Sequence, residues 1–461
     1  MFNKYIIKTI KLFLLALFIS FTFSQIVPND LFQPKLNRIM NDTYENWETL
    51  SFFNNYDIYN EQNKNLKIST LRHSLSLQSS NNNFSVLSFN QIVKNSFFGY
   101  SYISISNKNV FMIPNHQESE NINFKNNSNI FNTISSGFGY KNDWAMLKIS
   151  KGRENWGAGE HIQLALSNSA EPYNYLTLGS NYGSVRVKYI HGFLESLSDS
   201  LNRFITSRGI EWTNKKSLII GLSETVVYSG IGRSIDLGYF NPISSHTEVE
   251  LNNRLNVIGD GNSNAVWQFH IDALTKKRYR ISLNYLIDEF VFDPDQQIGK
   301  EHGLAYSLRI SKNIRNNKDE FFTIYGKMVR VGTPTFRHGN GGNNFINKIY
   351  PLGWLRGSDS EEFSIGINFS DKTSLLYNLN SGITHSGDEN IRFRPLDRYK
   401  DYQKGSYPSG NVKKIMFLNT SINWYLNKFL STMILLNIND NKSSLFLLEL
   451  KLSIPFYYKL H

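Results

Sequence analysis

Short stretches in which apolar and polar side chains alternate recur along most of this chain. Ala265, Trp267, Phe269 and Ile271 interleave with Val266, Gln268, His270 and Asp272. Ile281, Leu283, Tyr285 and Ile287 alternate with Ser282, Asn284, Leu286 and Asp288, and Leu304, Tyr306, Leu308 and Ile310 with Ala305, Ser307, Arg309 and Ser311. Phe363, Ile365, Ile367 and Phe369 alternate with Ser364, Gly366, Asn368 and Ser370. Successive side chains of a strand point to opposite faces, so each stretch is a strand with one apolar and one polar side. Near the carboxyl end, Phe446, Leu448, Leu450 and Leu452 face one way and Leu447, Glu449, Lys451 and Ser453 the other.

A half-buried antiparallel sheet of any kind would show this pattern. Its persistence from about residue 65 onward, with little helical sequence to cover the apolar faces, points to a transmembrane antiparallel β-barrel. Glu449 and Lys451 would then face the lumen, away from hydrocarbon, where a midplane charge costs roughly 2 to 4 kcal/mol. Closure pairs the last strand with an early one and leaves no edge. A tandem of soluble β-sandwiches or a propeller is the rival, but no repeat of blade length is present. One strand breaks the pattern: Leu218, Ile220 and Leu222 share the apolar parity, yet Glu224 continues it. The expectation is that the strand leaves the membrane there or carries a bulge near Ser223, turning Glu224 toward a lumen arginine such as Arg309.

The amino terminus fits export. Lys4, Lys8 and Lys11 precede the apolar stretch Leu12 to Phe23, and Thr22-Phe23-Ser24 offers small residues for cleavage, so residues 1–24 read as a signal peptide. The apolar core is about a dozen residues, against the roughly 20 that a spanning helix needs. No cysteine follows it, so no lipid-anchored terminus is expected. The formal charge is +11, and removing the three leader lysines leaves about +8. An exported chain with no basic run and no zinc or helix-turn-helix pattern is not expected to bind nucleic acid; acidic glycans or lipid headgroups are the better counterparts. With no Cys, disulfides and thiol chemistry are excluded, and the ten His form no H-E-x-x-H motif, so neither metal nor cofactor is expected.

Residues 25–64 differ in texture. Asp30, Leu31, Leu36, Ile39, Met40 and Tyr44 recur at three- and four-residue steps, which suits a short helical segment broken near Pro34, a periplasmic cap or linker spanning Asp30 to Asn54. Residues 65–461 form the barrel. Loops are expected at 115–129, 260–264, 337–344 and 386–411, all rich in turn-forming residues such as Gly, Asn and Ser.

The stretch GRENWGAGEHIQLALSNSAEP, 152–172, has no phosphate-loop pattern, and Glu154 and Glu160 alone do not make a glycosidase pair. There is no G-x-S-x-G elbow, so an enzyme is not expected. Its Arg153, Trp156-Gly157-x-Gly159, Leu164-Ala165-Leu166-Ser167-Asn168, Ala170 and Pro172 resemble the signature of the capsule assembly Wzi family, although Ala158 stands where that family commonly has a proline. IIGLSETVVYSG at 219–230, YFNPI at 239–243 and YPLGWLRGSDSE at 350–361 extend the resemblance in the same order.

That resemblance implies an outer-membrane barrel of about eighteen strands, closed by a periplasmic helical bundle, whose outer loops hold capsular polysaccharide or exopolysaccharide at the cell surface as a lectin. The implied surroundings are outer-membrane lipid and the machinery that inserts barrels. Sugar binding uses aromatic faces and hydrogen-bonding or basic side chains, which makes Arg337, His338, Trp354, Arg356, Tyr402 and Tyr407 the candidate glycan contacts. For the signature a structural role is favoured: Gly157 and Gly159 supply positive φ at a tight reversal, Arg153 and Glu160 form a lumen network, and Asn241-Pro242 makes a turn. The alternative is a diffusion channel, for which inward Arg186, Lys188, Arg309 and Lys451 would favour anions; a surface motility or adhesion role is a further alternative.

Overall fold

The computed structural model describes residues 70–80, 83–94, 96–106, 130–167, 170–197, 200–246, 249, 263–275, 279–289, 298–314, 320–371, 374–399, 404–427, 430–440 and 444–459. The proposed leader at 1–24, the helical segment within 25–64 and the loop at 115–129 lie outside them.

Strands form where the two-residue alternation runs. They are β1 (Thr70–Ser80), β2 (Asn83–Lys94), β3 (Phe97–Ser106), β4 (Ile130–Lys141), β5 (Ala145–Gly152), β6 (Tyr173–Asn181), β7 (Val185–Ser196), β8 (Leu201–Thr213), β9 (Leu218–Ile231) and β10 (Ser263–Leu274). The second half contributes β11 (Tyr279–Glu289), β12 (Gly303–Ile314), β13 (Phe321–Val331), the two-residue β14 (Ile346–Asn347) and β15 (Tyr350–Pro351), then β16 (Ser360–Ser370), β17 (Leu375–Ser386), β18 (Lys413–Tyr425), β19 (Leu430–Asn439) and β20 (Ser444–Lys459). All except β14 and β15 belong to one 18-stranded sheet. Each strand pairs antiparallel with the next, and β20 pairs with β1, Leu75 opposite Ile454, so the sheet closes into a cylinder with no free edge. The expected closure of the carboxyl-terminal strand on an early one is therefore observed.

The two faces of the wall sort as the sequence pattern predicts. On β10 Trp267 and Phe269 are exposed while Gln268 and His270 are buried; on β16 Phe363 and Ile365 are exposed while Glu362 and Ser364 are buried. Apolar side chains thus ring the outside and polar ones the lumen, the arrangement of a barrel solvated by hydrocarbon outside and polar groups within. The links at residues 142–144, 182–184 and 214–217 are short, and the outer ends of β1 and β20 lie on that same end. The opposite end carries the long connections 107–129, 153–172, 232–262, 332–359 and 387–412. In bacterial barrels short turns face the periplasm and long loops the exterior, which orients the molecule.

Glu224 departs from the expectation. Pairing of β9 with both neighbours runs in continuous register across Ser223, with Arg208 and Trp267 opposite Glu224, so the strand neither leaves the sheet nor bulges. Glu224 stays on the outer parity and pairs with Arg208, Nε to Oε2 3.0 Å, instead of with lumen Arg309. Arg309 stacks over the Tyr325 ring at 4.2 Å. The physical reason is that β8 supplies a cation on the same outward face, which removes the need to turn the carboxylate inward.

Candidate functional site

Two of the long outer connections fold back into the cylinder and fill it against β6 to β13. Residues 153–172 meet residues 332–359 through Ser167 N donating to Leu352 O at 2.9 Å and Trp354 N to Leu164 O at 3.1 Å. The Ser167 hydroxyl donates to Gly353 O. Any Cβ at Gly353 would collide with the Leu164 carbonyl, so glycine is required for this approach. Around the seam Ile162, Leu164, Leu166, Phe345, Leu352 and Trp354 form an apolar core with inward wall residues such as Ile205, Val227 and Val266. Arg203 on β8 fastens the second loop, donating from Nε to Gly342 O and from Nη2 to Asn344 O, both at 2.6 Å.

The signature residues build the first loop. Trp156 makes a bridge with Leu166, and its ring stands edge-on to His270 with centroids 6.2 Å apart. Gly209 on β8 leaves the space that this ring occupies. Gly157 and Gly159 have φ of 114° and 72°, as a tight reversal requires. At Gly157 a side chain would also run into Gln268 and Asn284. Those wall amides read the loop's backbone: Ala158 N donates to Asn284 Oδ1 at 2.8 Å, Asn284 Nδ2 to Ala158 O at 2.9 Å, and Ala165 N to Gln268 Oε1 at 3.0 Å. Ser307 Oγ donates to Ile162 O at 2.7 Å.

Two buried ionic clusters tie these connections to the wall. Glu154 lies between Lys148, at 3.2 Å, and Lys188, with all three side chains at most 4% exposed. Burial alone would push the Glu154 carboxyl up, but the two ammonium groups overcome it and hold the carboxyl down at about 2. The second cluster joins Glu362 to Lys327 at 2.9 Å and to Arg356 at 3.3 Å. Arg153 and Glu160 do not form the expected network as a pair. Arg153 donates from Nε to Ala170 O at 2.5 Å, and burial lowers its guanidinium to about 10 while Glu171 opposes the shift. Glu160 sits beside His161 at 3.8 Å. Among the described residues no group of three or more His, Asp or Glu side chains is placed to hold a metal ion.

The candidate glycan contacts are placed unevenly. Trp354 and Arg356 are each 4% exposed and belong to the lumen packing, not to an open loop. Arg337 is buried as well, paired with Glu389 and stacked over the Tyr399 ring at 4.7 Å. Tyr407 donates its hydroxyl to Ser360 O at 2.7 Å and Val331 O at 3.1 Å, beneath Arg330, and burial raises its pKa. His338 is partly exposed, its Nδ1 accepting from Asn340 N at 3.0 Å. Tyr402 and Asn168 lie outside the described residues. Asn241 makes the expected turn, its Oδ1 accepting from Ile243 N at 3.1 Å ahead of exposed Pro242, but on the outer wall.

The groups open to the exterior are others. Phe393 is 53% exposed, with Lys413 Nζ 5.9 Å from its centroid, and Arg394 and Arg398 are exposed beside it in sequence. Arg394 also pairs with Glu389 at 2.8 Å. These residues, like Gln268 and Asn284, escaped the sequence reading. The run RFRPLDR at 392–398 was a visible signal for them, whereas the wall amides look like any polar lumen position.

No protein-family model matches the chain, and no curated protein matches it in sequence. Among solved structures it is similar to Wzi of Escherichia coli, described as an outer membrane protein involved in group 1 capsule assembly and a carbohydrate-binding β-barrel. The two are 12% identical over 85% of each chain, with a TM-score of 0.57. The match extends to OprD of Pseudomonas aeruginosa, 9% identical over 86% of this chain and 95% of that one with a TM-score of 0.44. OccK8 (OprE) of the same organism is 7% identical over 86% and 98%, with a TM-score of 0.45. At these identities the likeness is one of fold.

Proposed function

We propose that this barrel is a non-enzymatic outer-membrane protein, exported by its amino-terminal signal, that retains capsular polysaccharide or exopolysaccharide at the cell surface. The observation that carries the proposal is the folded-in pair of outer connections. Loops that line a conducting pore would leave polar, hydrated walls, whereas these bury an apolar core in the lumen. Two of the four cations of the channel alternative are engaged: Lys188 by Glu154, Arg309 by the Tyr325 ring.

With two connections packed inside it against β6 to β13, the barrel serves as a mount for its outer face. There Phe393 offers a ring for a sugar to stack on, and Arg394, Arg398 and Lys413 offer donors to hydroxyl or acidic groups. The carbohydrate binding of the Escherichia coli barrel with the same fold supports this reading. Deleting the gene should release polysaccharide from cells into the medium, and re-expression should return it. Unchanged retention in the deletion strain would remove the assignment.

A further inference from the structure

Outside the cylinder, residues 231–246 leave the top of β9 and fold back down over the outer wall. Beneath them lie polar and charged side chains of the lipid-facing parity: Tyr189 and His191 of β7, Arg208 of β8, and Glu224 and Tyr228 of β9. Phe204, Tyr228, Tyr239 and His246 stack in sequence, with centroids 5.1, 4.7 and 6.3 Å apart. Polar groups of the wall are met by the strap's backbone. Tyr189 donates its hydroxyl to Tyr239 O at 2.6 Å, Arg208 Nη1 to Asn241 O at 3.1 Å, and Glu224 accepts from His246 N at 3.0 Å.

Depth makes this cover necessary. A tilted strand crosses hydrocarbon in roughly 9 to 11 residues, and that count up β9 from Leu218, just above the short-turn end, reaches Val226 to Tyr228. Glu224 and its partner Arg208 therefore lie at membrane depth. The strap's own outward side is mainly apolar: Ile231, Ile235, Leu237, Phe240 and Ile243 are exposed, Leu237 at 78% and Ile243 at 88%, beside exposed Ser234 and an exposed Asn241 whose side-chain amide donates to Ser244 Oγ and accepts from Ile243 N within the strap. The charged side chains of 231–236 neutralise each other, Arg233 Nη2 to Asp236 Oδ2 at 2.8 Å, with Arg233 lying over the Tyr228 ring. The apolar side is continuous with the lipid belt, since Ile210, Leu222 and Trp267 are exposed on the wall next to the covered residues.

We propose that residues 231–246 form a lipid-binding strap, immersed in acyl chains of the outer leaflet through Ile235, Leu237, Phe240 and Ile243, that seals the Arg208–Glu224 pair from the bilayer. The strap thus replaces bare wall as the membrane surface on this side of the barrel. This does not depend on what the outer loops bind.

The chain has no cysteine, so Leu237→Cys and Ile243→Cys each carry one label. Each variant is coupled to an NBD fluorophore, checked for the heat-modifiable barrel on a gel, and reconstituted in vesicles of phosphatidylcholine with plain or brominated acyl chains. Ile434→Cys on the lipid face of β19 and Lys216→Cys in a short turn give the two reference signals. The strap labels should match Ile434→Cys: blue-shifted emission, loss of most intensity in brominated vesicles, and insensitivity to aqueous iodide. Emission and iodide quenching like those of Lys216→Cys at either strap position would overturn the proposal and leave that surface to water or a protein partner.

Discussion

Replacing Glu154 by Gln keeps the side chain's shape and removes its charge, leaving the ammonium groups of Lys148 and Lys188 buried together. At 3.2 Å and an effective dielectric near 20, the Lys148 contact alone is worth about 5 kcal/mol gross. Most of that offsets the desolvation of the ions, but loss of one partner from a buried pair costs roughly 3 to 5 kcal/mol net, because the remaining charge has no counterion. Glu154 lies at the start of the connection packed inside the barrel, so the loss falls on the plug's attachment to β5 and β7. The midpoint for conversion of detergent-solubilised folded barrel to the unfolded gel species should drop clearly in Glu154→Gln. The triple variant Lys148→Met, Glu154→Leu, Lys188→Met, which removes the charges together, should recover most of it. A Glu154→Gln protein that melts like the wild type would refute the idea that this triad anchors the plug.

The same carboxylate sets a pH dependence. Its pKa is held down at about 2 in the folded state, below the ordinary 4.5, so its stabilisation is present above pH 4.5 and is lost as pH falls toward 2. The wild type's melting advantage over Glu154→Gln should shrink across that window; an advantage independent of pH there would contradict the assignment. Gly157→Ala should destabilise by about 1 to 3 kcal/mol from its positive φ, with added clash against Gln268 and Asn284, read as a lower melting midpoint. Phe393→Ala should weaken retention of polysaccharide on whole cells without moving the melting midpoint. Trp354→Ala should lower the midpoint by about 3 to 5 kcal/mol equivalent, and the opposite assignment of the two effects would place the glycan face elsewhere. Arg208→Leu should reduce the yield of folded barrel in membranes by leaving Glu224 unpaired, and the double variant Arg208→Leu, Glu224→Leu should restore it.

The wall was legible because a strand's period is fixed by geometry: Trp267 and Phe269 against Gln268 and His270 could face only two ways, and solvation chose between them. Gly157 and Gly159 were legible as a reversal because few residues take positive φ. The direction in which a loop folds carries no such period. Trp354, Arg356 and Arg337 sit in loop-like sequence and read as open-loop residues, yet Leu164 and Glu362 hold the first two in the lumen, and Arg337 is buried against Glu389 and the Tyr399 ring. At Glu224 the cost of an outward carboxylate was recognised but the remedy was not. Arg208 shares the outward parity of β8 with Phe204, Ile210 and Trp212, and that second misplaced charge was the available clue.

The filled lumen is tested most directly by the wild-type protein in planar lipid bilayers. Folded barrels inserted at high density should give no sustained conductance steps in potassium chloride. Regular, long-lived steps from the same preparation would mean that the folded-in connections leave a water-filled path, and would restore the channel reading over surface retention.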